Sequence, residues 1–219
     1  MGLGDEDCTP PARFGTVEPQ VYRSAFPTSD SFTHLKMLKL HSVINLSQEA
    51  LSRGVTSFMH DQGIVIHNVG LDVWTRLDTN PITDELICEA LRLLLDRTYH
   101  PIMLMSSSGS HQVGTLVGCL RRLQQWALSA ILYEYRAYAA PSPRLSCEHF
   151  IEQWDVDLIS IPPNPPRWFE YQQQLLAAEQ AEWAAGQLSP ERHAHFAISS
   201  PLVSPGITTS LVDEDEKPD

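Results

Sequence analysis

The chain has no apolar run approaching the ~20 residues that cross a bilayer, and its 219 residues hold only 15 lysines and arginines against 27 aspartates and glutamates. The resulting formal charge of -12 argues against broad binding to nucleic acid or to a membrane surface, both of which need basic patches. Met1 to Pro11 carries no basic residue and no apolar stretch, so it does not have the form of a secretory leader. A cytoplasmic protein, with the nucleus as a second compartment, is the expectation. Cys8, Cys88, Cys119 and Cys147 form no C-x-x-C pair and have no histidine at metal-ligand spacing. They read as reduced thiols, and Cys88 and Cys119 fall within apolar helical patterns as small core residues. His193 and His195 lie in a polar stretch without a supporting carboxylate. No metal and no cofactor is expected.

Hydrophobic residues make up 42% of the chain, enough for one core. Short apolar strands alternate with helical patterns. Strands are expected at Val21–Ser24, Val43–Leu46, Ile64–Ile66 and Pro101–Met105, the last wholly apolar as in the middle of a sheet. Helices are expected over residues 31–40, 48–62, 83–97, 113–125, 128–139, 147–153 and 168–185. In the helix from Thr83, a capping residue, the buried stripe is Leu86, Ala90, Leu91, Leu94 and Leu95. This alternation predicts an α/β fold with a mostly parallel central sheet flanked by helices. Residues 1–12 read as a flexible lead-in and 13–160 as the main domain. Residues 161–187 read as a Pro-rich linker and C-terminal helix, and 188–219 as a disordered acidic Ser/Pro tail. Ser189, Ser200 and Ser204 each precede proline and are candidate phosphorylation sites. The apolar face of the C-terminal helix, with Phe169, Leu175, Leu176 and Trp183, suits docking on its own domain or on a partner.

The informative element is the strand, small-residue loop and helix from Ile102 to Gln125. Ligands of α/β sheets bind beyond the carboxyl ends of the strands, where a helix start offers free N–H groups. Gly109 and Gly114 relieve the crowding of a tight anion-cradling turn.

Several blocks, in order, carry a family resemblance: Phe14 to Ser24, Leu35 to Leu46, Glu89 to Asp96, Val117 to Trp126, Glu134 to Arg136 and Phe150 to Glu152. Across residues 13–155 the chain resembles the plant and fungal atypical dual-specificity phosphatases of the protein tyrosine phosphatase superfamily. The resemblance implies a dual-specificity-phosphatase-like sheet. It also implies a loop reading His-Cys, five residues, then Arg, in which a thiolate attacks phosphorus and the arginine binds the phosphoryl oxygens. By position the histidine falls on Met105, the nucleophile on Ser106 and the arginine on Gln112. No Cys-x5-Arg occurs elsewhere in the chain. A hydroxyl needs a general base, for which His111 is the nearby candidate. Pro101 to Leu120 contains no lysine or arginine, where the family places cations. Asp72 and Asp78 occupy the region from which such enzymes supply a general acid, Asp72 as a vestigial one.

The resemblance therefore predicts a pseudophosphatase: not an enzyme, but a scaffold or regulatory subunit, associated with related phosphatase subunits. Two alternatives stay open. One is a weak tyrosine-protein or inositol-pyrophosphate phosphatase, and the other a non-hydrolysing phospholigand sensor. Any ligand is placed on Ser106, Ser107, Ser108, Gly109, Ser110, His111 and Gln112. Arg23 is expected to be structural. Of Arg121 and Arg122, one is expected in a structural ion pair and the other in solvent.

Overall fold

A computed structural model describes residues 8–73 and 82–185. Asp78, the tail from 188, His193, His195 and the three Ser-Pro sites lie outside the described residues. Five strands form one sheet in the order β1-β2-β5-β3-β4. They are β1 (Gly15–Glu18), β2 (Val21–Ala25), β3 (Ser42–Asn45), β4 (Val65–His67) and β5 (Ile102–Ser106). The β1–β2 pair is antiparallel and the other pairs are parallel. The fold is α/β, as the alternation of elements predicts.

β5 is central and buried at all five positions. Its alternation serves two layers. Ile102 and Leu104 join the larger core, while Met103 and Met105 join a smaller one with Leu35, Val43, Phe58 and Met59. The larger core lies against α4 (Asp84–Leu94), α5 (His111–Leu123), α6 (Leu128–Ala139) and α7 (Leu145–Gln153). The smaller lies against α1 (Phe32–Leu38) and α2 (Arg53–Asp61), and α3 (Val69–Asp72) follows β4. The predicted stripe of α4 is buried throughout, and Thr83 Oγ1 accepts the Leu86 N–H at 3.3 Å.

Several boundaries differ from the sequence expectation. β1 was not expected, because a four-residue edge strand with one buried apolar residue, Val17, gives almost no alternation signal. α2 begins at Arg53, not at Gln48, because Ser52 caps it by accepting the Val55 N–H. α5 begins at His111, two residues before the predicted start, so His111 and Gln112 stand on the first helical turn. Arg122 is not simply solvated: it donates to the Glu152 and Trp154 carbonyls at the end of α7. The last helix, α8 (Arg167–Ala184), docks on its own domain. Phe169 and Leu176 are buried, and Gln172 donates to the Gln124 carbonyl at 3.0 Å. No helix among the described residues is long and apolar enough to cross a membrane.

Burial lowers the pKa of His34, His67, His100 and His111 below the ordinary imidazole value of 6.5. The unfolded chain therefore takes up protons first as pH falls through 6.5, and folding stability is lost on that descent. Asp96 and Glu148, whose pKa values are depressed, act in the same direction but only below their ordinary values of 3.8 and 4.5. The urea midpoint is expected to fall between about pH 7 and pH 5. A midpoint that is flat or rises over that range contradicts this assignment.

Candidate active site

β5 delivers Ser106 to the carboxyl edge of the sheet, where the chain turns through residues 107–110 into α5. Ser106 is fully buried, and its Oγ accepts the Gly109 N–H at 3.0 Å. The Ser107 N–H donates to Ser47 Oγ at 2.7 Å, which ties the loop to the segment after β3. The Ser110 N–H donates to Ser108 Oγ at 3.3 Å. Serine hydroxyls thus satisfy three loop N–H groups. Neutral hydroxyls are weaker acceptors than a phosphoryl oxygen, so a bound anion can displace them.

Gly109 makes the turn possible. Its φ is +67°, and a Cβ there would lie 2.5 Å from the Ala25 nitrogen on β2. The N-cap of α5, Ser110, makes no side-chain capping hydrogen bond. The first N–H groups of a 13-residue helix and the positive end of its dipole are left for another acceptor.

The other predicted site residues are distributed as follows. Ser107 and Ser108 are exposed, Gly109 and Ser110 are buried, and His111 and Gln112 are partly buried. Met105 is wholly buried in the smaller core, so the position of the family histidine is a packing residue here. His111 Nδ1 lies 3.1 Å from the Tyr135 hydroxyl, which in turn accepts the Arg144 N–H at 3.0 Å. Burial, with Arg144 and Arg13 nearby, lowers the His111 pKa and so favours the neutral ring. The Tyr135 hydroxyl also points its proton toward the Arg144 carbonyl at 3.5 Å. Among the described residues no hydrogen bond joins the His111 ring to Ser106. Gly114 has no side chain to keep Tyr135 away from the first turns of α5: a Cβ would meet its ring at 2.8 Å.

Asp72 is exposed at the end of α3. It borders a cleft of about 680 Å³ lined also by His67, Asp84, Glu85, Cys88 and Arg92, to which residues 106–112 do not contribute. The buried cysteines offer no replacement nucleophile, since burial pushes the Cys119 thiol well above its ordinary pKa and raises Cys88 as well.

Cations reach the loop from elsewhere in the chain, which the local sequence does not reveal. Arg23 on β2 is 1% exposed and stacks on the Tyr138 ring at 3.7 Å. It directs Nη2 toward the Gly109 carbonyl at 3.4 Å. Its Nε and Nη1 have no hydrogen-bond partner, and burial lowers its pKa to about 10, so it remains charged at pH 7. Arg13 donates to the Tyr138 and Ala140 carbonyls at the end of α6.

The model of the tyrosine phosphatase family matches residues 8–172. An Arabidopsis thaliana protein named inositol diphosphatase DSP4 is 38% identical over 160 residues, covering 73% of this chain and 80% of that protein. The solved Siw14 catalytic core is 36% identical with a TM-score of 0.63, over 68% of this chain and 88% of that one. The core catalytic domain of the PP-IP phosphatase SIW14 from S. cerevisiae, in complex with citrate, matches at 35% identity. Its TM-score is 0.62, over 68% and 89% of the two chains.

These names overturn the expectation of an inactive scaffold or regulatory subunit: relatives matched along the domain are named for phosphatase activity. The expectation weighs two aligned side chains, Ser106 and Gln112. It leaves uncounted the loop backbone, the open helix start and the arginines that converge from other elements. The chain belongs to the tyrosine phosphatase family.

Proposed function

We propose that this chain is a slow phosphatase acting on the substrate classes its relatives' names give, an inositol diphosphate or a tyrosine phosphate. One observation carries the reading: Ser106 lies buried at the end of β5, directly before a tight turn into a helix start that no side chain caps. N–H groups fixed in that position stabilise the charge that develops on the equatorial phosphoryl oxygens without reorganising. The Ser106 Oγ–P bond forms as the bond from phosphorus to the leaving oxygen breaks. The serine proton ends on the leaving group, and water then releases phosphate from the serine.

The reaction is slow because its nucleophile is a hydroxyl. A hydroxyl holds its proton far more tightly than a thiol, and among the described residues no base is hydrogen-bonded to Ser106. The test is phosphate release from a diphosphorylated inositol and from a phosphotyrosine peptide by the purified chain and its Ser106→Ala variant. The variant is expected to be at least about tenfold slower on the preferred substrate. Equal rates for the two proteins on both substrates remove the reading.

A further inference from the structure

We infer that Arg144 is a specificity-determining residue of this site, reaching over the start of α5 to bind a second phosphate of a multiply phosphorylated ligand. The inference rests on the proposed phosphatase reading and adds where the ligand's remaining charge is held. The helix start gains independent support as an anion site from Arg23. This guanidinium is almost wholly buried behind the loop, two of its nitrogens lack partners, and the third is directed at the Gly109 carbonyl. A buried cation so placed is offset when an anion occupies the other side of the same peptide groups.

The rim above the loop is built by three elements. His111 opens α5 and is joined through the Tyr135 hydroxyl to the backbone of Arg144, the N-cap of α7. Those two links, 3.1 and 3.0 Å, hold the Arg144 backbone two hydrogen bonds from the first residue of α5. Arg13 is fixed by the Tyr138 and Ala140 carbonyls and lies close enough to His111 to lower its pKa, as does Arg144.

The three arginines differ in what they are free to do. Arg23 is enclosed, and the guanidinium of Arg13 is committed to backbone carbonyls. Arg144 is exposed, and among the described residues its guanidinium has neither a hydrogen bond nor an ion pair. Buried Arg121 is taken up by Glu18 and Glu134, and the exposed Arg136 and Arg92 by Glu148 and Glu89. The Arg144 backbone, held two hydrogen bonds from the start of α5, thus brings a planar, permanently charged donor to the rim of an anion site on a chain whose net charge is -12. It replaces, from α7, the cations that the loop itself lacks.

The experiment measures binding of two probes, inorganic phosphate and inositol hexakisphosphate, to the full chain, to Arg144→Gln and to Arg144→Lys. Arg144 is exposed, so both variants are expected to keep the melting temperature of the parent. Arg144→Gln is expected to lose about tenfold in affinity for the hexakisphosphate and to keep its phosphate affinity within about twofold. Arg144→Lys is expected to recover part of the loss. If the parent binds both probes and Arg144→Gln weakens both equally or neither, the role of Arg144 is overturned while the loop reading stands. If the parent binds neither probe, the loop reading falls and takes this inference with it.

Discussion

The Ser106→Cys, Gln112→Arg double variant is expected to turn over phosphotyrosine or diphosphoinositol substrates on the order of 10³-fold faster than the parent chain. The site is otherwise prepared for it. A thiol at position 106 would lie just before the start of a 13-residue helix whose N-cap makes no side-chain hydrogen bond, the setting that favours a thiolate. Gln112 is partly exposed on the first turn of that helix, so a longer side chain has room to extend toward the loop opening. An arginine there would add two parallel donors to the phosphoryl oxygens. The two changes should be strongly non-additive, since the thiolate attacks only a phosphate that is held in line. Comparison of the double variant with each single one under saturating substrate checks this. A double variant no faster than the parent would mean that the loop does not hold the family's phosphate-cradling geometry.

Replacing Arg121 by methionine is expected to cost about 3–5 kcal/mol of folding stability, the penalty for leaving carboxylates without their buried partner. Arg121 is 3% exposed and sits where α5, α6 and β1 meet. Its Nε donates to Glu134 at 3.0 Å, Nη1 to Glu18 and to Gln124, and Nη2 to the Val17 carbonyl at 2.9 Å. The guanidinium also lies over the Trp126 ring at 4.1 Å. Such a loss corresponds to roughly 10 °C or more in melting temperature for a domain of this size. Differential scanning calorimetry of the variant reads it directly. A shift of only a degree or two would show that Glu18 and Glu134 are readily solvated without Arg121. Arg122, its neighbour in sequence, gives the contrast: its partners are two carbonyls near the surface, and its removal should cost far less.

The fold was legible where one residue pattern had one physical meaning. Ile102 to Met105 is apolar on both faces and forms the central strand. Thr83 followed by leucines at helical spacing is a capped helix with one buried face. The Glu18–Val17 edge was not legible, because β1 is held by its pairing with β2 and by Arg121 from a helix some hundred residues away. The loop is legible from its small residues and its place between strand and helix, though the sequence extends it from Ser106 to Gln112 and the structure ends it at Ser110. The helix start at His111 was placed late, since Gly114 and two polar residues weaken the apolar pattern that marks a helix.

The charge of the site was misjudged for a related reason. A window from Pro101 to Leu120 contains no cation, yet Arg23 reaches the Gly109 carbonyl, and Arg13 and Arg144 lie near His111. Each is brought by a different element: the segment before β1, strand β2 and the start of α7. The same locality misled the expectation about activity, which counted the aligned side chains and not the backbone donors around them. Asp72, chosen for its sequence neighbourhood, borders a different cleft.

Phosphatase activity at the Ser106 loop is tested by following phosphate release from a diphosphorylated inositol by the unmodified chain, with and without excess vanadate. Slow release is expected that passes one phosphate per chain and stops with vanadate, which occupies the N–H cradle in place of the substrate phosphate. Release no faster than a protein-free blank would contradict it.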